Sequence, residues 1–151
     1  MDQLNLPAFD YRTRFNQGKE EIFDPVRRKF VALTPEEWVR QHFVNYLVSC
    51  KLVPPALISV EQTLTYNTMK KRADIVVYSR KGNPLMMIEC KAASVEITQK
   101  TFDQVARYNL TMKVPYLVVT NGLVHICSKV DFENSTYAFL AEIPGFEDMG
   151  S

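Results

Sequence analysis

The chain has 151 residues, of which 46% are hydrophobic and 11% aromatic, and its formal net charge is +1. This length and composition predict a single globular domain over residues 1–151 with a substantial apolar core, and they exclude a second large domain. A net charge this small does not fit a histone-like protein, so nucleic-acid binding would have to come from a local patch.

The N-terminal part of the sequence predicts short extended segments. Residues 1–10 suggest a loosely ordered entry, and the alternation of apolar and polar residues over 11–16 indicates a short strand. Residues 21–33 predict two more extended pieces around the turn at Asp24 and Pro25. The core of the domain is expected to begin near residue 22 and to end near residue 143, with a loose C-terminus.

A helix is predicted from Thr34 to about Cys50. Thr34 can cap it, Pro35 suits the first helical position, and Glu37 completes a capping box. Helical periodicity places Glu36 on the apolar face and points Glu37 away from it. We therefore expect Glu36 to face the interior, where a carboxylate needs a partner, and Glu37 to complement the helix dipole.

The remainder of the chain predicts a mixed sheet. Residues 58–66, 73–78 and 85–90 form an antiparallel three-strand meander, with a hairpin turn at 81–84. A second helix follows, capped by Thr98 or Thr101 and ending near Met112, and it leads to a buried strand at 114–120 that is parallel to the third strand. Asn121 and Gly122 indicate a hairpin to residues 123–130, and 136–143 adds an edge strand. The fold class is α/β, a mixed central sheet flanked by two helices.

Cysteine usage and the N-terminus indicate a cytoplasmic location. Cys50, Cys90 and Cys127 are odd in number and form no CxxC pair, which argues against a disulfide scaffold or structural zinc. The first residues lack a charged segment followed by an apolar run, and no apolar stretch approaches the roughly 20 residues of a membrane helix. His42 and His125 are isolated, and we expect structural roles for both.

Two carboxylates and one ammonium group are predicted to meet on the meander. Glu89 and Lys91 are separated by one residue on a strand, so both project from the same face. Counting outward from the hairpin turn brings Asp74 close to them if the pairing contains a bulge. Two carboxylates beside a lysine suit metal-assisted phosphodiester hydrolysis with Mg²⁺, or with Mn²⁺ as a substitute. The alternative is a structural Glu–Lys pair next to an aspartate in a turn.

The pattern Asp74…Glu89-Cys-Lys91 resembles the signature of the PD-(D/E)xK nuclease superfamily. Further blocks are similar to the N-terminal nuclease domain of type I restriction enzyme R subunits, in the short form found as a standalone protein. The resemblance covers roughly residues 22–143. It rests on Thr-Pro-Glu-Glu-Trp-Val-Arg-Gln from 34, Lys-Arg-Ala-Asp-Ile-Val-Val-Tyr from 71, Ile-Glu-Cys-Lys-Ala from 88, Phe-Asp-Gln-Val-Ala-Arg-Tyr-Asn from 102 and Pro-Tyr-Leu-Val-Val-Thr-Asn-Gly from 115.

The resemblance implies a restriction-endonuclease-like core and assigns roles to residues of the chain. Asp74 and Glu89 would bind the metal with the carbonyl of Cys90, and Lys91 would steer the attacking water. Glu36 would supply the acid of the first helix, although the matching text also contains Glu37.

A second motif implied by the resemblance lies on the second helix. Gln104 and Tyr108 match a Q-x-x-x-Y motif that would position DNA beside the site. The family's proline before the first aspartate is Ala73 in this chain, a substitution that puts little of the assignment in doubt.

The function expected from the sequence is a Mg²⁺-dependent DNA endonuclease with little intrinsic sequence preference. Its partners would be DNA, other restriction or repair subunits, and a second copy in a homodimer. The alternatives are a non-catalytic nucleic-acid-binding or assembly module with the same fold, or a hydrolase of RNA or modified nucleic acid. No P-loop motif is present, so ATP hydrolysis by this chain is not expected.

Overall fold

The computed structural model describes residues 1–150, which form two sheets and two α-helices. A small antiparallel sheet near the N-terminus has the order β1-β2-β3, and a six-stranded sheet has the order β4-β5-β6-β7-β8-β9. The strands are β1 Thr13–Asn16, β2 Lys19–Asp24, β3 Lys29–Ala32, β4 Ile58–Tyr66, β5 Met69–Tyr78, β6 Pro84–Cys90, β7 Tyr116–Thr120, β8 His125–Asp131 and β9 Thr136–Leu140. The α-helices are α1 Pro35–Ser49 and α2 Gln99–Met112, and single 3₁₀ turns span Pro55–Leu57 and Phe146–Met149.

The large sheet is mixed, as the sequence predicts. All neighbouring strands are antiparallel except β6 and β7, which are parallel because α2 carries the chain across the sheet between them. The hairpin between β5 and β6 contains a shift in register after Val77, which supplies the bulge that the counting argument requires. The predicted order of meander, helix, parallel strand and hairpin is therefore confirmed.

The two α-helices cover opposite faces of the large sheet. One apolar cluster contains Phe43 and Leu47 of α1 together with Ile88 of β6, and the other contains Phe102 of α2 together with Met87 of β6. Ile88 and Met87 are adjacent, so their side chains point to opposite faces. This double cover explains why the central strands are almost continuously apolar.

The orientation predicted for the two acids of α1 is wrong. Glu37 is 5% exposed, whereas the side chain of Glu36 is 48% exposed. The prediction assumed that one face of α1 is buried, but the loop between β2 and β3 covers a second face and places Arg27 against Glu37. Thr34 caps the helix as predicted, because its hydroxyl accepts from the N–H of Glu37 at 3.0 Å.

Both ends of the described chain carry buried apolar side chains, where the sequence suggests loose ends. Leu4 is buried in the cluster beneath α1, and the N–H of Asn5 donates to the carbonyl of Gly122 at 2.8 Å. At the other end, Phe146 and Met149 join the same cluster. No helix among residues 1–150 is long and apolar enough to cross a membrane.

His42 packs in an aromatic cluster on α1, and the structural role expected for it stays a prediction. Its ring is 4.3 Å from that of Trp38 and 4.8 Å from that of Phe9, measured between centroids. Its Nδ1 donates to the carbonyl of Trp38 at 2.8 Å, since a carbonyl oxygen can only accept. Burial lowers the pKa of His42, and the hydrogen bond to Trp38 opposes the change only in part.

We expect His42 to make the protein less stable as the pH falls from about 7 to about 5. The unfolded chain takes up a proton at this position near pH 6.5, about the ordinary value, while the folded chain resists it until a lower pH. The variant His42→Gln should therefore lose less unfolding free energy than the wild type over this range in urea titrations. Equal pH dependence of the two proteins would contradict the prediction.

Candidate active site

Asp74 lies at an interruption in the pairing of β5 with β4. Regular pairs form on either side, but Glu61 and Asp74, which lie opposite each other, are left out of the ladder. Glu61 has a φ of 54°, a left-handed conformation that residues other than glycine seldom adopt. Irregularities of this kind re-aim side chains and are frequent beside functional sites.

The carboxylate of Asp74 bridges β6 and α1. Its Oδ2 accepts a hydrogen bond from the N–H of Cys90 at 2.8 Å, and its Oδ1 accepts from Nη2 of Arg40 at 3.0 Å. The side chain is thus fixed by a backbone donor from one element and a guanidinium from another. Fixed orientation is what a metal-binding or catalytic carboxylate requires.

Glu89 is buried opposite Asp74 without a good partner. Extending the register of the pair Ile75–Ile88 by one residue places Asp74 across from Glu89. Glu89 is 8% exposed, and its buried Oε1 makes no hydrogen bond. Nζ of Lys71 lies 3.4 Å from this oxygen and forms a long ion pair with it. Burial, and then the charge of Asp74, raises the pKa of Glu89 to about 7.

Lys91 follows β6 directly and is half-buried. Its N–H donates to the carbonyl of Thr120 at 2.8 Å, which keeps the backbone in the sheet. Among residues 1–150 no carboxylate lies within 4.0 Å of its Nζ, and its positive charge opposes the rise in the pKa values of Glu36 and Glu89 that burial and Asp74 cause. Lys91 is therefore an unpaired cation that acts electrostatically on both acids.

Glu36 faces the same region from α1, although it is exposed rather than interior. Burial and then the charge of Asp74 raise the pKa of Glu36, while Arg40 and Lys91 act in the opposite direction. Nη2 of Arg40 lies 3.6 Å from its Oε1. Of the two helix acids, Glu36 is the one whose pKa is affected by the charges of Asp74 and Lys91. Glu37 instead forms buried ion pairs with Arg27 and Arg40.

Tyr108 and Gln104 approach the site from α2. The ring of Tyr108, 43% exposed, has Nζ of Lys71 5.4 Å from its centroid. Gln104 is exposed one helical turn earlier, so the two side chains lie on one ridge. Lys71 contacts both the ring of Tyr108 and the carboxylate of Glu89. The structure therefore places the ridge of Gln104 and Tyr108 beside the acidic residues of β5 and β6.

Arg40 links the acidic residues of the site. It is 5% exposed, and its Nη1 donates to Oε1 of Glu37 at 2.6 Å, in addition to the bond from Nη2 to Asp74. Oε1 of Glu61 lies 3.6 Å from Nη1. Burial alone lowers the pKa of Arg40, but the charges of Glu37 and Asp74 outweigh it and raise that pKa. Arg40 is a positioning residue for Asp74.

A second arginine extends this network toward the small sheet. Arg27 pairs with Asp24, with Glu37 at 2.7 Å and with Glu61 at 3.2 Å. Arg72 pairs with Glu61 at 2.8 Å on the outer side. Glu61, at its unusual φ, therefore forms ion pairs with three arginines. Burial raises the pKa of Glu61, but the charges of the three arginines outweigh it and lower that pKa.

The fit of Mg²⁺ to this site rests on the unbonded oxygen of Glu89. A buried carboxylate oxygen whose one contact is a long ion pair is costly, and a divalent cation would satisfy it. Mg²⁺ commonly keeps several waters and takes one or two carboxylates from the protein, so Asp74 and Glu89 suffice. Residues 1–150 contain no group of three or more His, Cys, Asp or Glu side chains placed to hold a metal ion.

Asp74 and the carbonyl of Cys90 are also compatible with binding Mg²⁺. Both oxygens of Asp74 are already bonded, but each carboxylate oxygen has two lone pairs, so acceptor capacity remains. The N–H of Cys90 points to Asp74, and the N–H and carbonyl of one residue in an extended strand face the same neighbour. The carbonyl of Cys90 is therefore expected on the Asp74 side, as the sequence analysis requires for a ligand.

Replacing Glu89 with glutamine is expected to stabilise the metal-free protein. The variant removes a buried charge that Lys71 compensates only in part, and we expect the free energy of unfolding in EDTA at about pH 8 to rise by about 1–3 kcal/mol. Mg²⁺ or Mn²⁺ should raise the melting temperature of the wild type but not that of Glu89→Gln. Glu96→Gln, an exposed carboxylate on the loop before α2, is the matched control and should behave as the wild type. An equal metal response in both variants would contradict a cation site at Glu89.

Sequence reasoning missed Arg40, Lys71 and Glu61. Arg40 had a local signal, because it follows the two helix acids by four and three residues, the spacing of helical ion pairs. Lys71 lies in the basic run before Asp74, which the sequence analysis used only as part of a matching block. Glu61 had no usable signal, since its positive φ is imposed by tertiary structure.

Comparisons with known proteins give a family and a structural likeness. Residues 35–144 match the model of the family described as Type I restriction enzyme R protein N terminus (HSDR_N), a stretch that contains every predicted site residue. Among solved structures, a fragment of a putative HsdR subunit of a type I restriction enzyme from Vibrio vulnificus YJ016 is similar, with 17% identity and a TM-score of 0.42. That match covers 70% of this chain and 24% of the other, so this chain spans about a quarter of that one. A comparison with curated proteins found no match.

Proposed function

The chain belongs to the family of type I restriction enzyme R protein N termini, and from this membership we propose that it is a metal-dependent endodeoxyribonuclease. Its site would be of the PD-(D/E)xK type on a restriction-endonuclease-like core. The substrate would be DNA cut with little intrinsic sequence specificity, and the cofactor Mg²⁺ or, as a substitute, Mn²⁺. The observation that carries the proposal is the buried Glu89 carboxylate, unbonded at Oε1, opposite Asp74 and beside Lys91.

The residues divide the work of hydrolysis among them. Asp74 and Glu89, with the carbonyl of Cys90, would hold the cation, which supplies charge neutralisation at the phosphate and easier deprotonation of water. Lys91 would orient the attacking water and offset the phosphate charge. Glu36, exposed at the mouth of the site, would accept a hydrogen bond or proton from that water. A new P–O bond forms from water, an ester P–O bond breaks, and the leaving oxygen takes up a proton.

DNA contacts next to the site would come from α2. Tyr108 offers an exposed ring for a sugar or base, and Gln104 offers donors and an acceptor on the same ridge. Lys71, held between Glu89 and the ring of Tyr108, would add a positive charge near a bound phosphate. Further partners would be other restriction or repair subunits, and a homodimer would allow both strands to be cut. The protein would act in the cytoplasm.

A second candidate is a non-catalytic nucleic-acid-binding or assembly module. It is favoured by the existing bonds of Asp74, whose two oxygens each already accept one hydrogen bond, from Arg40 and from the N–H of Cys90. It is also favoured by the lack of a third acidic ligand within residues 1–150. In this reading the acids and arginines would serve only to hold α1 on the sheet.

Incubation with supercoiled plasmid DNA separates the two candidates. We expect nicked and linear products in Mg²⁺ or Mn²⁺ and none in EDTA, with similar cleavage of unrelated plasmids because little sequence is read. Parallel reactions with single-stranded DNA and with RNA define the substrate. DNA binding in EDTA together with intact plasmid in Mn²⁺ would reject the nuclease and favour the binding module.

A further inference from the structure

Part of the hairpin of β4 and β5 is a two-stranded ribbon. Residues 62–66 pair with residues 69–73, and the pairing of β5 with β6 begins only at Ile75. Five residue pairs extend about 17 Å at about 3.4 Å per residue. The connecting loop is Asn67 and Thr68, and Asn67 has a φ of 56°. We refer to residues 62–73 as the β4–β5 ribbon.

One face of the ribbon is held against α2. Leu64 is buried in the apolar cluster that contains Phe102. Lys71 lies directly across from Leu64 in the register, and partners that face each other across strands project from the same face. Its contact with the ring of Tyr108 confirms that this face turns toward α2. The ribbon is therefore supported from one side only.

The opposite face is polar, basic and exposed. Thr63 lies across from Arg72, and Thr65 lies across from Lys70, so these four side chains share the second face. All four residues are exposed. Arg72 is paired with Glu61 at the base of the ribbon, and Lys70 forms no ion pair among residues 1–150. The result is a row of two hydroxyls and two cations open to solvent.

The positive charge of the ribbon favours an anionic partner. Residues 62–73 contain three cations, Lys70, Lys71 and Arg72, and no acidic residue, in a chain whose net charge is only +1. Lysine, arginine and threonine side chains are the groups that contact DNA phosphates. The major groove, about 12 Å wide, admits a two-stranded β-ribbon. The base of the ribbon is at the candidate site, since Lys71 lies 3.4 Å from Glu89.

We propose that the β4–β5 ribbon is a contact arm for duplex DNA. Its exposed face binds phosphates through Lys70, Arg72 and the two threonines, and so directs the duplex past Asp74 and Glu89. The inference rests on the proposed function for the nature of its ligand. Binding without metal is measurable independently of cleavage, so the two can fail separately.

The test is the salt dependence of duplex binding in EDTA, measured by fluorescence anisotropy with a labelled duplex of arbitrary sequence. Removing one phosphate contact lowers the slope of log K against log salt by about 0.9, so Lys70→Ala is expected to flatten it by that amount. The affinity at about 0.1 M salt should fall by roughly fivefold to tenfold. The double variant Lys70→Ala/Arg72→Ala should flatten the slope further.

Lys81→Ala is the matched control. Lys81 is an exposed lysine in the turn after β5, at the end of that strand remote from the ribbon loop, and its loss should leave both slope and affinity unchanged. Equal slopes for the wild type and Lys70→Ala, or a wild type that binds no duplex, would overturn the proposal. Lys70-dependent binding without plasmid cleavage in Mn²⁺ would support the ribbon and overturn only the nuclease.

Discussion

Replacing Lys91 with alanine is expected to slow metal-dependent DNA cleavage by about 10²- to 10⁴-fold, the usual contribution of a group that assists proton transfer. The reason is the position of Lys91 two residues after Glu89, where it forms no ion pair among residues 1–150 and its positive charge opposes the rise in the pKa values of Glu36 and Glu89. An unpaired, half-buried lysine at this position is available to a water or phosphate. Because it supports no ion pair, its loss should change the free energy of unfolding little.

The measurement is single-turnover cleavage of supercoiled plasmid in saturating Mn²⁺, with Lys81→Ala as the matched lysine variant. Lys91→Arg should also be strongly impaired, because a planar guanidinium is larger and distributes its charge differently from an ammonium. Unchanged urea unfolding curves would establish that the loss is not one of folding. Cleavage by Lys91→Ala at the wild-type rate would remove Lys91 from the chemistry.

The strands and helices could be predicted because their signals are local. Thr34 with Pro35 and Glu37 specifies the start of α1 within four residues, and the cap forms as expected. The continuously apolar run of β6 predicts a central strand, which the double cover by α1 and α2 confirms. The helix between β6 and β7 predicts their parallel pairing, since an antiparallel partner would need only a hairpin.

The burial of charged side chains could not be predicted in the same way. Periodicity alone gives α1 one apolar face, but the buried set of α1 also includes Glu37, Arg40 and Gln41. Glu37 and Arg40 are covered by charged partners from elsewhere in the fold, Arg27 of the loop after β2 and Asp74 of β5. Each of these partners lies ten or more residues away in sequence, so no local pattern predicts the contact.

In the candidate site, too, some features follow from local sequence and others from tertiary contacts. Glu89 and Lys91 share a strand, and hairpin counting is enough to bring Asp74 opposite Glu89. The interruption at Glu61 that turns Asp74 toward α1 and β6 has no such signal, because it depends on the contacts of Glu61 with three arginines. The sequence therefore predicts that Asp74 and Glu89 lie opposite each other. Which of their oxygens form hydrogen bonds depends on contacts that only the tertiary structure supplies.

Replacing Arg40 with leucine is expected to lower the free energy of unfolding by about 3–5 kcal/mol, the usual cost of removing one partner from a buried ion pair. The leucine would leave the carboxylates of Glu37 and Asp74 without the guanidinium that bonds both. Equilibrium unfolding in urea measures the loss. Arg14→Leu, which breaks an exposed pair with Glu21, is the control and should cost less than about 1 kcal/mol.

A double-mutant cycle with Glu37→Gln separates charge pairing from lost packing. Nη1 of Arg40 lies 2.6 Å from Oε1 of Glu37, and both residues are 5% exposed, so we expect an interaction energy of about 1–3 kcal/mol. With Glu37 already neutral, Arg40→Leu should then cost correspondingly less than in the wild type. Additive effects would mean that the pair with Glu37 contributes nothing to the stabilisation by Arg40, and would leave its bond to Asp74 as the remaining charge contact. A coupled cycle would instead establish that the buried charges of Arg40 and Glu37 act together, within the same side chain that bonds Asp74 from α1.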